Sequence, residues 1–114
     1  METYSQTLNH AFHALSDPTR RYVVAQLSRG PASIKELAEP FDMGLPSFLK
    51  HIKVLETSGL ITSEKSGRVR TCTLNRDQLA AAEKWFTQQR ANWESRYENL
   101  ETLLTGMNGY DNET

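Results

Sequence analysis

The sequence predicts a mainly α chain with one small β-hairpin, in the order α-α-α-α-β-β-α. Three observations carry this. Apolar residues recur at helical spacing in successive stretches before residue 59, two-residue alternation flanks a Ser-Gly turn over residues 60–74, and a seven-residue apolar repeat runs through the last third. The length of 114 residues suits a single domain. Residues 1–105 are expected to form it, with a long final helix over about 76–104 and a flexible tail over 106–114.

Leu8, Ala11, Phe12 and Leu15 make one stripe of a first helix that ends near Ser16. Ser16 or Asp17 then offers an oxygen to the unpaired amides of a second helix. Pro18 stands where a missing N–H costs nothing, and Val23, Val24 and Leu27 turn inward. Gly30 and Pro31 stop that helix. Ser33 and Glu36 have capping-box spacing, which starts a short third helix with Ile34, Leu37, Ala38 and Phe41 as its apolar face. After a turn over 42–44, a fourth helix over 45–58 places Leu45, Phe48 or Leu49, Ile52 and Leu55 on one side. Gly59 supplies the left-handed residue that closes a helix. Two short helices joined by a tight turn form a helix-turn-helix.

Residues 60–65 favour strand, Ser66-Gly67 turns the chain, and the return strand over 69–74 alternates again. Val69, Thr71 and Thr73 share one face, and Arg70 and Cys72 the other. Such a hairpin beside a helix-turn-helix is a wing. Asn75, with Gln78 three residues on, opens the last helix. Leu79, Phe86, Trp93, Leu100 and Met107 recur every seven residues, supported by Ala82, Tyr97 and Leu104. A seam of that length exceeds what the domain's own core needs, so it predicts a partner helix and a homodimer.

Composition narrows the function classes. No apolar run approaches the roughly 20 residues that span a bilayer, and residues 1–10 lack a basic flank followed by an apolar stretch. A cytoplasmic protein that does not cross a membrane is expected. Cys72 is the only cysteine, which excludes an internal disulfide or a multi-cysteine zinc site in one chain. It is expected to be a half-buried strand residue, the alternative being a redox or metal-sensing thiol. No Ser-His-Asp order, phosphate-binding glycine loop or paired-carboxylate site marks an enzyme, and no cofactor is expected.

The net charge of −1 conceals a division along the chain. Residues 1–43 carry four basic and five acidic side chains, residues 44–76 six and two, and residues 77–114 three and seven. The basic middle segment is the candidate phosphate-facing surface. On the fourth helix Ser47, Lys50, His51 and Val54 lie opposite the apolar stripe, with Lys53 at the flank. That face suits the major groove of double-stranded DNA, with Ser47 and Lys50 at base edges and Lys53 at phosphate. His51 either contacts base or phosphate or bonds its own helix. Lys65, Arg68 and Arg70 place further cations on the hairpin, where a wing follows the backbone or enters the minor groove, and Arg68 is the expected tip contact.

This order of elements, from about residue 8 to residue 104, resembles the ArsR/SmtB winged helix-turn-helix repressors. Three stretches carry the resemblance: ALSDPTRR at 14–21, LPSFLKHIKVLE at 45–56 with SGLI at 58–61, and GRVR at 67–70. The resemblance implies a dimer built from the first and last helices that binds a two-fold related operator and releases it when an effector arrives. Leu8, Phe12, Leu79, Phe86, Trp93, Tyr97, Leu100 and Leu104 are the corresponding interface residues. Many relatives begin the reading helix with Ser-Gln and have Ser before the basic-His pair, whereas Gly44, Leu45 and Leu49 stand here. Leu45 suits a thymine methyl instead.

The metal-sensing members carry a Cys-x-Cys-type motif on the third helix or Asp, His and Glu ligands on the last. Here the third helix lacks cysteine and the last lacks histidine, so no metal site of those kinds is expected. His10 and His13 are spaced to share a metal across a dimer only weakly, and exposed or interface histidines are the simpler expectation. Trp93 is expected in interface packing, the alternative being a small-molecule pocket for an unknown effector. Beside the DNA-binding repressor stand two alternatives, a winged-helix interaction module that does not bind DNA and a metal- or ligand-responsive sensor.

Overall fold

The computed structural model describes residues 3–112, with side chains through residue 106. Its elements are α1 (Tyr4–Ala14), α2 (Pro18–Leu27), β1 (Ala32–Ser33), α3 (Ile34–Ala38), α4 (Leu45–Thr57), β2 (Ile61–Ser66), β3 (Val69–Leu74) and α5 (Arg76–Asn112). They fall into two units, residues 1–82 and 83–114.

In the first unit, side-chain caps set most helix starts. The Asp17 carboxylate accepts from the Arg20 amide at 3.1 Å, so Asp17 rather than Ser16 caps α2 ahead of Pro18. Ser33 and Glu36 close a reciprocal capping box on α3. A second box, Thr3 with Gln6, starts α1 and was not anticipated. α4 begins without a side-chain cap, on Gly44 and Pro46. Its end is better defined. Gly59 adopts φ 85° while its amide donates to Glu56 O at 3.0 Å and the Leu60 amide to Leu55 O at 3.2 Å, the paired bonds of a Schellman motif.

Leu27, Leu37, Phe48, Ile52, Leu55, Leu60, Ile61 and Cys72 are fully buried and form the centre of the core. Of the two candidates on α4, Phe48 turns inward; Leu49 is 40% and Leu45 55% exposed. The connection between α3 and α4 is pinned from both sides. The Phe41 ring meets Tyr22 of α2 edge-on at 5.0 Å and lies 5.8 Å from Phe48 of α4.

The hairpin pairs antiparallel from Ile61↔Leu74 to Ser66↔Val69, leaving a two-residue loop of Gly67 and Arg68. Positive φ at Gly67 alone has the φ pattern of a II′ turn, which matches strand twist. The sheet holds one strand more than expected. Ala32 and Ser33 pair with Cys72 and Thr71, giving the order β1-β3-β2. Cys72 lies on the central strand, with a paired strand on each side, and is fully buried, not half-buried.

α5 opens with Asn75 Oδ1 accepting from the Gln78 amide at 3.4 Å. Gln78 Nε2 donates to Ser58 O at 3.2 Å, fastening α5 to the end of α4. Arg76 caps Ser28 O at 3.3 Å, and Tyr4 OH donates to Ala81 O at 3.2 Å. These bonds hold the start of α5 against α1, α2 and α4. Leu8, expected at a dimer interface, is instead buried within this unit. Its place on the inward stripe with Ala11 leaves it little surface for a partner.

The second unit is the remainder of α5. The helix continues to Asn112, beyond the expected end near Leu104. The seam position Met107 lies outside the described side chains, and residues 113–114 of the expected tail lie outside the described residues. Phe86, Trp93, Tyr97, Leu100, Leu103 and Leu104 are all exposed, and Trp85 meets Phe86 edge-on at 5.3 Å.

Candidate nucleic-acid interface

Burial of Phe48, Ile52 and Leu55 fixes which side of α4 faces outward. Leu45, Ser47, Leu49, Lys50 and Lys53 are exposed, and Val54 is half-buried. The outward surface thus presents a hydroxyl, two ammonium groups and two leucines. That composition can meet both base edges and thymine methyls.

His51 departs from the expectation. It is half-buried, with Nδ1 3.1 Å from Arg20 Nη1 and 3.6 Å from Asp17 Oδ2. A guanidinium can only donate, so in this contact Nδ1 is the acceptor. The ring is therefore tied to α2, neither bonded to its own helix nor free to turn toward a groove through Nδ1. Arg20 also donates from Nε to Ala14 O at 2.7 Å and from Nη2 to His13 O at 3.2 Å. Arg21 Nη1 adds a bond to Leu15 O at 2.9 Å. Desolvation pushes the Asp17 carboxyl pKa up, but the Arg20 amide, the adjacent His51 ring and the Thr19 amide outweigh it and hold it below its ordinary value.

On the hairpin Lys65, Arg68 and Arg70 are exposed. Lys65 and Arg70 are direct cross-strand partners, a like-charge pairing that an external anion would relieve. Arg70 Nη1 donates to Ser63 Oγ at 3.0 Å, and Ser63 Oγ donates to Glu56 Oε2 at 3.2 Å, so the hairpin is also linked to α4. Burial pushes the Cys72 thiol pKa up, Glu56 adds to this and Arg70 offsets part of it. A buried protonated thiol is a poor nucleophile and a poor metal ligand.

His10 and His13 line a cleft of about 220 Å³ with Lys53, Val54, Thr57 and Ser58. Among the described residues no group of three or more His, Cys, Asp or Glu side chains is placed to hold a metal ion. Sequence spacing had put His51 on the outward face of α4. The partner that redirects it lies 31 residues away, and the DPTR run of residues 17–20 is the only local sign of it.

Comparison with known proteins gives this arrangement its context. A helix-turn-helix domain family matches residues 15–64. The HTH-type transcriptional regulator Rv2034 of Mycobacterium tuberculosis is 37% identical over 81 residues, covering 71% of this chain and 75% of that protein. The chain belongs to the ArsR/SmtB family of winged helix-turn-helix transcriptional regulators. The transcriptional repressor SdpR of Bacillus subtilis is 31% identical over 79 residues, covering 69% of this chain and 88% of that protein. The crystal structure of another ArsR family transcriptional regulator superimposes with a TM-score of 0.75 at 55% identity, covering 83% of this chain and 98% of the other. As an ArsR/SmtB member the protein is a DNA-binding transcriptional regulator, and the expected fold and family are those observed.

Proposed function

We propose that this ArsR/SmtB-family chain is a homodimeric repressor that places two copies of α4 in successive major grooves of a two-fold related operator. The observation that carries the proposal is the outward face of α4, where Ser47, Lys50 and Lys53 stand exposed opposite the buried Phe48, Ile52 and Leu55. Ser47 and Lys50 read base edges, Leu45 packs on a thymine methyl, and Lys53 holds phosphate. Lys65, Arg68 and Arg70 align the wing with the adjacent backbone. His51 acts behind this surface. Phe12 and Leu79, both half-buried, join Phe86, Trp93, Tyr97, Leu100 and Leu104 in the dimer contact.

No helix among the described residues is long and apolar enough to cross a membrane. The protein works in the cytoplasm, with DNA and a second copy of itself as partners and no catalytic activity. Any small-molecule effector acts by binding one separation of the reading heads better than another.

Selection of bound sequences from random duplexes with the purified protein tests this proposal, followed by salt titration on the selected site. Affinity falls steeply with salt, and Lys53→Ala flattens the slope by about one unit as one phosphate contact is lost. Repeating the selection after chelation and after reduction leaves it unchanged. A salt-independent interaction, or no selected sequence, returns the chain to the interaction-module alternative.

A further inference from the structure

The Arg20 guanidinium uses all three of its nitrogens, and no two of its acceptors belong to the same residue. Nε and Nη2 take the carbonyls of Ala14 and His13 at the end of α1, the latter also accepting from the Ser16 amide and hydroxyl, while Nη1 takes the ring of His51 on α4. Arg20 itself sits in the first turn of α2, its amide held by the Asp17 cap at 3.1 Å. One half-buried side chain thus connects three helices. Its planar fork suits this task, whereas an ammonium is a single point.

The apolar stripe of α4 sets how deeply the helix sits, but apolar contact is non-directional and resists a roll about the helix axis only weakly. A hydrogen bond to a half-buried ring is directional. His51 is the residue after Lys50 and lies one turn beyond Ser47. With side-chain tips about 5–6 Å from the axis, a roll of about 10° moves Ser47 and Lys50 by about 1 Å, comparable to the tolerance of a hydrogen-bonded contact.

We propose that Arg20 and His51 form a positioning brace that fixes the roll of α4 relative to α1, so that Arg20 contributes to operator affinity without touching DNA. This rests on the DNA-reading function proposed above. The brace acts on the specific complex alone, because binding to an unrelated duplex depends on phosphate charge and not on the register of base contacts.

The test is equilibrium binding of the full chain to its selected duplex and to an unrelated duplex across a salt series, with thermal unfolding of each variant. Arg20→Met, Arg20→Lys and His51→Leu weaken specific binding about tenfold, leave non-specific binding unchanged and keep the wild-type salt slope. His51→Asn, which restores an acceptor near the Nδ1 position, recovers most of the loss. The double variant Arg20→Met with His51→Leu is no weaker than either single variant, since both remove one interaction. A slope lowered by about one unit in Arg20→Met makes Arg20 a phosphate contact and overturns the brace. Additive losses, or a His51→Asn no better than His51→Leu, overturn it as well. Should the Arg20 variants unfold, the His51 pair decides alone. Salt-independent binding by the wild type instead removes the DNA-reading function on which the brace depends.

Discussion

Gly59 shows how a single residue positions the reading helix. Its φ of 85° lies where a Cβ is disfavoured, and a Cβ built there meets Gln78 Cδ at 3.2 Å. The same Gln78 side chain bonds Ser58 O, so displacing it also weakens the attachment of α5 to α4. Gly59→Ala is expected to cost about 2 kcal/mol, combining left-handed strain with one weakened hydrogen bond, as measured by urea unfolding. The glycine's role was legible in the sequence because it follows an apolar helical stripe directly. His51 was not legible in the same way. Periodicity gives the side of a helix on which a residue stands, but not whether a side chain from another element reaches over to meet it. Cys72 was misjudged for a related reason: two-residue alternation separates its face from that of Thr71, but does not tell how completely α2 and α3, which contact β3, cover it.

Among the elements, those with strong periodicity or a cap were legible, and those of two residues were not. Ala32 and Ser33 contain no alternation to detect, and Ser33 also caps α3, so the capping signal hid the strand. The far end of α5 was underestimated because Gly106 and Gly109 each disfavour a helix by about 1 kcal/mol, yet the helix runs through both. The hairpin was legible from Ser66-Gly67, although the loop falls one residue later, at Gly67 and Arg68, and its geometry gives the wing its own test. Arg68 occupies the second loop position, with no hydrogen bond or ion pair assigned to it among the described contacts. Arg68→Ala should therefore leave the melting temperature within about 3 °C, since exposed substitutions away from structural contacts stay within about 0.5 kcal/mol. Operator affinity should fall, with the salt slope reduced by about one unit. A change in melting temperature without a change in slope would make Arg68 a structural residue of the turn.

At the scale of the whole molecule, the distribution of apolar surface supports the proposed homodimer. Trp93 is 68% exposed, and five further large apolar side chains between residues 86 and 104 are about half exposed or more. Phe86, Trp93 and Leu100 recur every seven residues, and Tyr97 and Leu104 recur beside them, forming one stripe on one helix. A stripe of this kind in water favours self-association, each fully covered side chain contributing about 1.5–3 kcal/mol. The consequence reaches the DNA. In the proposed dimer, two reading helices held by such a seam would meet half-sites about 34 Å apart, one turn of duplex, and gain affinity from binding both. Leu100→Glu places a charge in the middle of the stripe, at a position 52% exposed in the second unit. Sedimentation velocity should then show a monomer at concentrations where the wild type is dimeric, with helical circular dichroism largely retained. The monomer should bind an isolated half-site as the wild type does, but lose the sensitivity of the full operator to half-site spacing. If Leu100→Glu remains dimeric and sensitive to spacing, the interface lies elsewhere, and Phe12 and Leu79 become the residues to test.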